Sequence, residues 1–196
     1  MAETLNFSVS LGRTFFRWRG GIPIIIFLIL FFLPKEFQHT ATSFLPTTLG
    51  IFLLEGVRIW AVSAMRGANR TYSDRTGRLV DSGPFALVRN PLYLANIGLY
   101  WLWAIMFGFT YMSLVVLGFF SIYYSLIVHY EESIWLKQGN LDYRNYLERV
   151  PRWIPNNPLK TPNWIGTINF RDAIRSEFYT LRNWLVLLVM SLARIA

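Results

Sequence analysis

Two short stretches hold most of the residues able to do chemistry. The first is Val88-Arg89-Asn90-Pro91-Leu92-Tyr93-Leu94, which gathers a guanidinium, an amide and a phenol at the mouth of an apolar run. Proline is favoured in the first helical turn, where its missing N–H is no loss. A helix opening at Pro91 therefore turns free backbone amides and a positive dipole end toward the preceding loop. The second stretch, His129-Tyr130-Glu131-Glu132, closes the next apolar run. Neighbours on a helix point about 100° apart, so one carboxylate can turn inward while the other meets water or loop arginines. An inward carboxylate at a membrane boundary calls for a cation, either Arg89 or a cationic ligand. His129 adds a group able to carry a proton near neutral pH. Each stretch also has a plain structural reading. Arg89 and Tyr93 can be interfacial residues at a capped helix start, and the glutamates a solvated helix end with a modest ion pair. The local pattern leaves both readings open.

Elsewhere the candidates are fewer. Glu55 and Arg58 stand three residues apart inside an apolar run, close enough to pair on one helix face, and a mutually neutralised structural pair accounts for both. The absence of cysteine excludes disulfides, a thiolate nucleophile and thiolate metal sites. No metal-ligand spacing, phosphate-cradling glycine loop or serine–histidine–acid grouping is present, so no metal site is expected.

The elements that must position these residues are membrane helices. The chain is 54% hydrophobic and 15% charged, against about 25% charged residues in a typical soluble domain, which points to a bilayer. Apolar segments run over 20–33, 45–65, 92–109, 111–128 and, less regularly, 178–193, where Arg182 and Asn183 interrupt. A crossing helix needs about 20 residues, so the first segment is short and the last is able to span, dip in or lie at the surface. Only Thr110 separates the third and fourth runs, which predicts a tight antiparallel hairpin with Gly108 supplying the permissive backbone. The expected fold is an all-α polytopic bundle of four to five transmembrane helices, one integral membrane domain over 1–196. The run ending at Leu33-Pro34-Lys35-Glu36 does not read as a cleaved signal.

Orientation follows from the basic residues. Arg13, Arg17 and Arg19 precede the first span, and Arg66, Arg70, Arg75, Arg78 and Arg89 lie between the second and third. Lys137, Arg144, Arg149, Arg152, Lys160, Arg171 and Arg175 follow the fourth, while Lys35 stands alone in the opposite loop. Alternating spans put all three groups, the N-terminus and both polar stretches on the cytoplasmic face. The net charge of +8 is thereby read as membrane orientation rather than nucleic-acid binding, for which no module pattern exists. His39 falls on the far side. The turn-rich 66–90 loop is long enough to be functional. Residues 131–149 read as an amphipathic helical stretch broken near Gly139-Asn140, with Trp135, Tyr143 and Tyr146 suited to a membrane interface. The four prolines of 150–164 rule out one regular helix there.

Taken together, Gly77-Arg78-Leu79-Val80-Asp81-Ser82-Gly83-Pro84-Phe85, then Val88 to Leu94, then Glu131-Glu132, Tyr143, Tyr146 and the Arg149-Val150-Pro151-Arg152 to Pro155 stretch resemble one superfamily. It is that of the integral membrane methyltransferases acting on isoprenylcysteine carboxylates and on phospholipids. The resemblance covers roughly 45–157 and leaves 165–196 as a C-terminal helical extension. It implies S-adenosylmethionine as cofactor, held in a pocket on the cytosolic side, and a lipophilic or lipidated acceptor reached from the membrane lipids. Arg89, Asn90, Pro91 and Tyr93, flanked by Val88 and Leu94, would form the adenosyl side of that pocket. Glu131 and Glu132 would hold polar parts such as the ammonium, with His129 beside them, and Glu132 and Arg89 would be the groups nearest the chemistry. Family members commonly carry histidine where Asn90 stands, and an arginine just before the glutamate pair where His129-Tyr130 stands. An amide can still hydrogen-bond a base or a ribose.

The resemblance fits the physical reading. A sulfonium methyl is already electrophilic, so alignment rather than a nucleophilic side chain is required, and the 66–90 loop and 150–164 segment would close over the cofactor. Trp101, Trp103, Phe107, Tyr123 and Tyr124 would line an acceptor tunnel or simply pack the core. Two other classes compete. Membrane sterol reductases, which use NADPH, look similar in their C-terminal half but carry additional spans. A non-catalytic membrane protein would use Glu131 and Glu132 only to cap a helix. The identity of the acceptor and the oligomeric state are not legible in the sequence.

Overall fold

The computed structural model describes residues 2–37, 41–65, 79–166 and 170–195, and these form helices joined by short irregular segments, with no strand among them. In chain order the helices are α1 (Ala2–Arg17), α2 (Gly21–Phe32), α3 (Ala41–Met65), α4 (Pro84–Leu87), α5 (Pro91–Met106), α6 (Tyr111–Lys137), α7 (Leu141–Arg149) and α8 (Phe170–Ile195). The all-α expectation holds, and the apolar segments fall on α2, α3, α5, α6 and α8, with 107–109 forming the turn between α5 and α6. His39 and the loop arginines Arg66, Arg70, Arg75 and Arg78 lie outside the described residues, as does most of the 66–90 loop.

By length and composition two or three of the described helices qualify as crossings, against the four to five expected. Among the described residues, α3, over Phe44–Met65, and α6 are long and apolar enough to cross a membrane. A third crossing results if α1 and α2, bent by 71° at the break between them, act as one span. Two of the apolar helices fall outside that measure for physical reasons. Helix α5 has 16 residues, about 24 Å of helix against a hydrocarbon core of about 30 Å. Helix α8 begins at Phe170, well before its apolar run, and carries Arg171, Asp172, Arg175 and Glu177 in its first turns. The apolar helices nevertheless define an integral membrane protein.

The chain divides into two compact groups. The first comprises Met1–Glu55, Asn96–Tyr130 and Tyr179–Ala196, and the second Gly56–Ala95 and Glu131–Phe178. In the first group α5 and α6 form the expected hairpin, with Gly108 at φ +90° and its carbonyl accepting the N–H of Glu36. The Glu36 carboxylate accepts the N–H groups of Thr110, Tyr111 and Met112 at 2.7, 2.7 and 3.0 Å, satisfying donors that open α6. Along the hairpin Tyr100 packs on Phe120 at 4.2 Å between ring centroids, and Asn96 donates to the Tyr124 hydroxyl at 3.1 Å. Trp103, Phe107, Tyr123 and Tyr124 are fully buried here. At the far end of α8 the Arg194 guanidinium donates to the carbonyls of Leu30, Phe31, Leu33 and Phe107, supplying partners for the open C-terminus of α2.

The second group is built around α7. Asn140 caps this helix, its side chain accepting from Asp142 and Tyr143 N–H, so the predicted break near Gly139-Asn140 is present. The aromatic residues expected at a membrane interface are instead a small core. Tyr143 and Tyr146 are buried with Val150, and Trp135 stacks on Tyr143 at 5.3 Å. An i, i+3 aromatic stripe suits either environment, and here the stripe found protein to cover it. The Tyr146 hydroxyl donates to the Phe85 carbonyl at 2.9 Å. Burial, and then neighbouring negative groups, push both phenols above the usual tyrosine range. The neutral phenol is thus the folded form, and the stability it contributes is intact below the ordinary pKa of about 10 and lost as pH rises beyond it. Near-ultraviolet circular dichroism should therefore report loss of tertiary signal above about pH 10, and Tyr146→Phe should blunt that loss.

Candidate functional site

The site grows out of the first turn of α5. The chain reverses at Gly83, whose φ of +65° suits glycine, and Pro84 starts the single turn of α4. Gly166, also at φ +65°, crosses there so closely that a Cβ on it would lie 2.7 Å from the Gly83 nitrogen. Val88 is extended and buried, and Pro91, also buried, opens α5 as expected, with the Leu94 N–H bonded to the Asn90 carbonyl. Arg89, Asn90, Tyr93 and Leu94 are half-buried around that turn.

Across from it stands the last part of α6. Glu132 is buried, and its carboxylate takes Arg89 Nη1 at 3.1 Å on one oxygen and the Arg152 guanidinium on the other. The half-buried Glu131 accepts the Tyr93 hydroxyl at 3.0 Å. Adjacent carboxylates thus point to different partners, one to guanidinium groups and one to a phenol. The two stretches singled out in the sequence meet in space. His129 is half-buried one turn earlier on α6, belongs to the first group, and is not among these ion-paired residues.

Arg152 is the member that the sequence reading placed only among orientation charges and in a matching stretch. It arrives on the irregular chain after α7, which is strapped to the α5 mouth by backbone bonds. Arg89 N–H donates to the Pro151 carbonyl and Asn156 N–H to the Leu87 carbonyl, each at 2.9 Å. Asn90 Nδ2 reaches the Arg152 carbonyl at 3.3 Å, so the amide at the unusual position ties down the strap. The available signal was the Pro151-Arg152 pair itself, a cation placed where no helix continues.

The resulting cluster holds two cations and two carboxylates, and so is charge-balanced. Arg89 Nε is buried with no hydrogen-bond partner among the described residues, a donor that wants an acceptor. A separate open cleft of about 750 Å³ is lined by Leu79, Asp81, Asn140, Asp142, Asn145, Glu148 and Arg149, and none of the cluster residues borders it. Within the second group, Arg58 of α3 donates to Glu177 of α8 at 3.0 Å, with Glu177 fully buried. This is a partner for Arg58 that sequence spacing did not reveal. Glu55 accepts the Trp184 indole N–H at 2.9 Å.

Apolar membrane helices thus carry a buried, charge-balanced polar cluster at the mouth of α5. The phospholipid methyltransferase family matches residues 42–138, which bears out the resemblance read from the sequence. The matched region contains α3, the α5–α6 hairpin and Glu132, while Arg152 lies beyond it. The match supports an enzyme and points to methyl transfer to a lipid acceptor. No curated protein and no solved structure matches the chain.

Proposed function

We propose that this protein transfers a methyl group from S-adenosylmethionine to a lipid acceptor, and that the cluster of Arg89, Tyr93, Glu131, Glu132 and Arg152 holds the polar end of the cofactor. The observation that carries the reading is the buried, unbonded Arg89 Nε set among charges of both signs. A zwitterionic amino-acid tail offers a carboxylate and an ammonium, and a balanced set of guanidinium and carboxylate groups suits both without a net electrostatic cost. The residues therefore fit the group the family implies. When bound, it supplies an electrophilic methyl on a sulfonium sulfur.

The chain's own part is to bind, orient and exclude water. Arg89 presents a donor from the α5 mouth, and Asn90 and Pro91 shape that mouth. Tyr93 fixes Glu131, and Glu132 holds Arg89 and Arg152 in place. The 150–156 strap closes one side, which limits water at the cluster. The acceptor reaches the site from the bilayer, and cytoplasmic placement of the cluster follows from the basic residues that flank the spans.

Detergent-purified protein is expected to bind S-adenosylmethionine in a calorimetric titration and to transfer labelled methyl to lipid in phospholipid vesicles. Arg89→Leu should weaken binding by about tenfold or more, the loss expected for a charge-assisted hydrogen bond of about 1.5–3 kcal/mol. Binding of NADPH in its place would overturn the reading in favour of a reductase, and binding of neither would leave a non-catalytic membrane protein.

A further inference from the structure

The strap that delivers Arg152 continues into the two most exposed large apolar side chains described in the second group, Leu159 at 91% and Ile154 at 81%, and ends on Ile165 at 57%. These positions are held. Leu159 sits in a 3-10 turn, Pro158–Lys160, capped by the Asn157 side chain, which accepts the Leu159 N–H at 2.9 Å. Thr161 Oγ1 donates to the Asn157 carbonyl at 2.9 Å, and the Asn163 carbonyl accepts Gly83 N–H at 2.9 Å. Trp60 Nε1 donates to the Ile165 carbonyl at 3.1 Å and its ring meets Trp164 edge to face. A segment fixed at so many points displays its aliphatic tips by construction.

The charge around those tips indicates what covers them. Between Glu148 and Asp172 the chain has no carboxylate, and its only charged side chains there are Arg149, Arg152, Lys160 and Arg171. Trp153 and Trp164 flank the tips, half-buried. Aliphatic side chains, tryptophan and basic residues without acids form the composition of an element lying in a membrane interface. The positive charge complements anionic head groups. Single exposed aliphatics need no explanation on a soluble protein, but this chain is embedded in a membrane and sets these three on one short segment.

We propose that residues 153–165 form an interfacial strap that seats Ile154 and Leu159 at the head-group–acyl boundary of an anionic leaflet, with Lys160 against lipid phosphate. Because Arg152 begins this strap, its lipid seating is continuous with the ion pairs of Glu132. The proposal rests on membrane embedding alone and is read by lipid contact, so it stands or falls separately from methyl transfer.

The natural absence of cysteine makes the test direct. Leu159→Cys and, independently, Ile154→Cys are labelled with an environment-sensitive fluorophore in the full chain, reconstituted in phosphatidylcholine discs with and without phosphatidylglycerol. Exposed Asn145→Cys on α7 serves as reference. The expected result is blue-shifted emission at 154 and 159, quenched several-fold more by lipid-borne nitroxide than by aqueous iodide, with the contrast larger in anionic discs. Lys160→Gln should reduce the ratio of inserted to aqueous label in anionic discs by roughly fivefold. Labels quenched by iodide as readily as the reference would overturn the proposal. So would labels shielded from both quenchers, which would mean a protein partner, or insertion indifferent to phosphatidylglycerol and to Lys160→Gln.

Discussion

Glu132→Gln is expected to lower S-adenosylmethionine affinity by at least about tenfold and to cut methyl transfer to lipid by more. The substitution keeps the shape of the side chain and removes its charge. Two guanidinium groups now converge on that carboxylate, and the side chains of Arg89 and Glu132 are only 15% and 10% exposed. Removing one partner of a buried pair costs about 3–5 kcal/mol because it strands the other charge. Arg152 is 38% exposed and water recovers part of its share, so the lower end of that range applies. Even about 1.4 kcal/mol of misplacement at Arg89 amounts to a factor of ten in affinity.

A role in stability and a role in the site make different forecasts for the same variant. If Glu132 only held the fold, the melting temperature would drop while the folded fraction bound cofactor normally. If it organises the cluster, affinity falls even well below the melting temperature, and Glu132→Asp restores part of it. Arg152→Gln should be the milder lesion, since Arg89 remains on Glu132. Unchanged calorimetric affinity in Glu132→Gln would remove this residue from the site and leave Glu131 and Tyr93 as the pair to test.

These forecasts depend on residues of unequal visibility in the sequence. The α5 mouth was legible because proline at a helix start, an arginine before it and a tyrosine two residues on are local signals that need no tertiary information. The meeting of Arg89 with Glu132 was legible because one-residue spacing between apolar runs permits only a tight hairpin, which returns the end of α6 toward the start of α5. Arg152 was not, since its position depends on a strap held by backbone bonds to Leu87 and Arg89 rather than on any period. The burial of Tyr143 and Tyr146 was misread for a related reason. Amphipathic spacing says that one face is covered but is silent on whether lipid or protein covers it. By length and composition α5 and α8 do not qualify as crossings, because hydropathy does not report length and an apolar run taken alone omits the charged turns before it.

The charged start of α8 carries the other large effect. Glu177→Ala or Arg58→Ala is expected to lower the melting temperature in detergent by on the order of 10 °C, the equivalent of about 3–5 kcal/mol for a chain of this size. Glu177 is fully buried and its partner nearly so, so neither charge can turn to water once the other is gone. The double variant Arg58→Met with Glu177→Leu should recover most of the loss, because apolar side chains of similar volume remove the stranded charge together with its partner. A double-mutant cycle separates this from a simple packing defect. A pair that holds the fold gives a large favourable coupling, whereas two independent cavities give additive losses and no recovery. The cofactor site adds a second readout. If the pair serves the fold alone, the double variant should bind S-adenosylmethionine nearly as the natural chain does. Loss of binding in a double variant that melts normally would show instead that the buried pair helps to set the cluster's geometry, and would make Glu177 a positioning residue of the site.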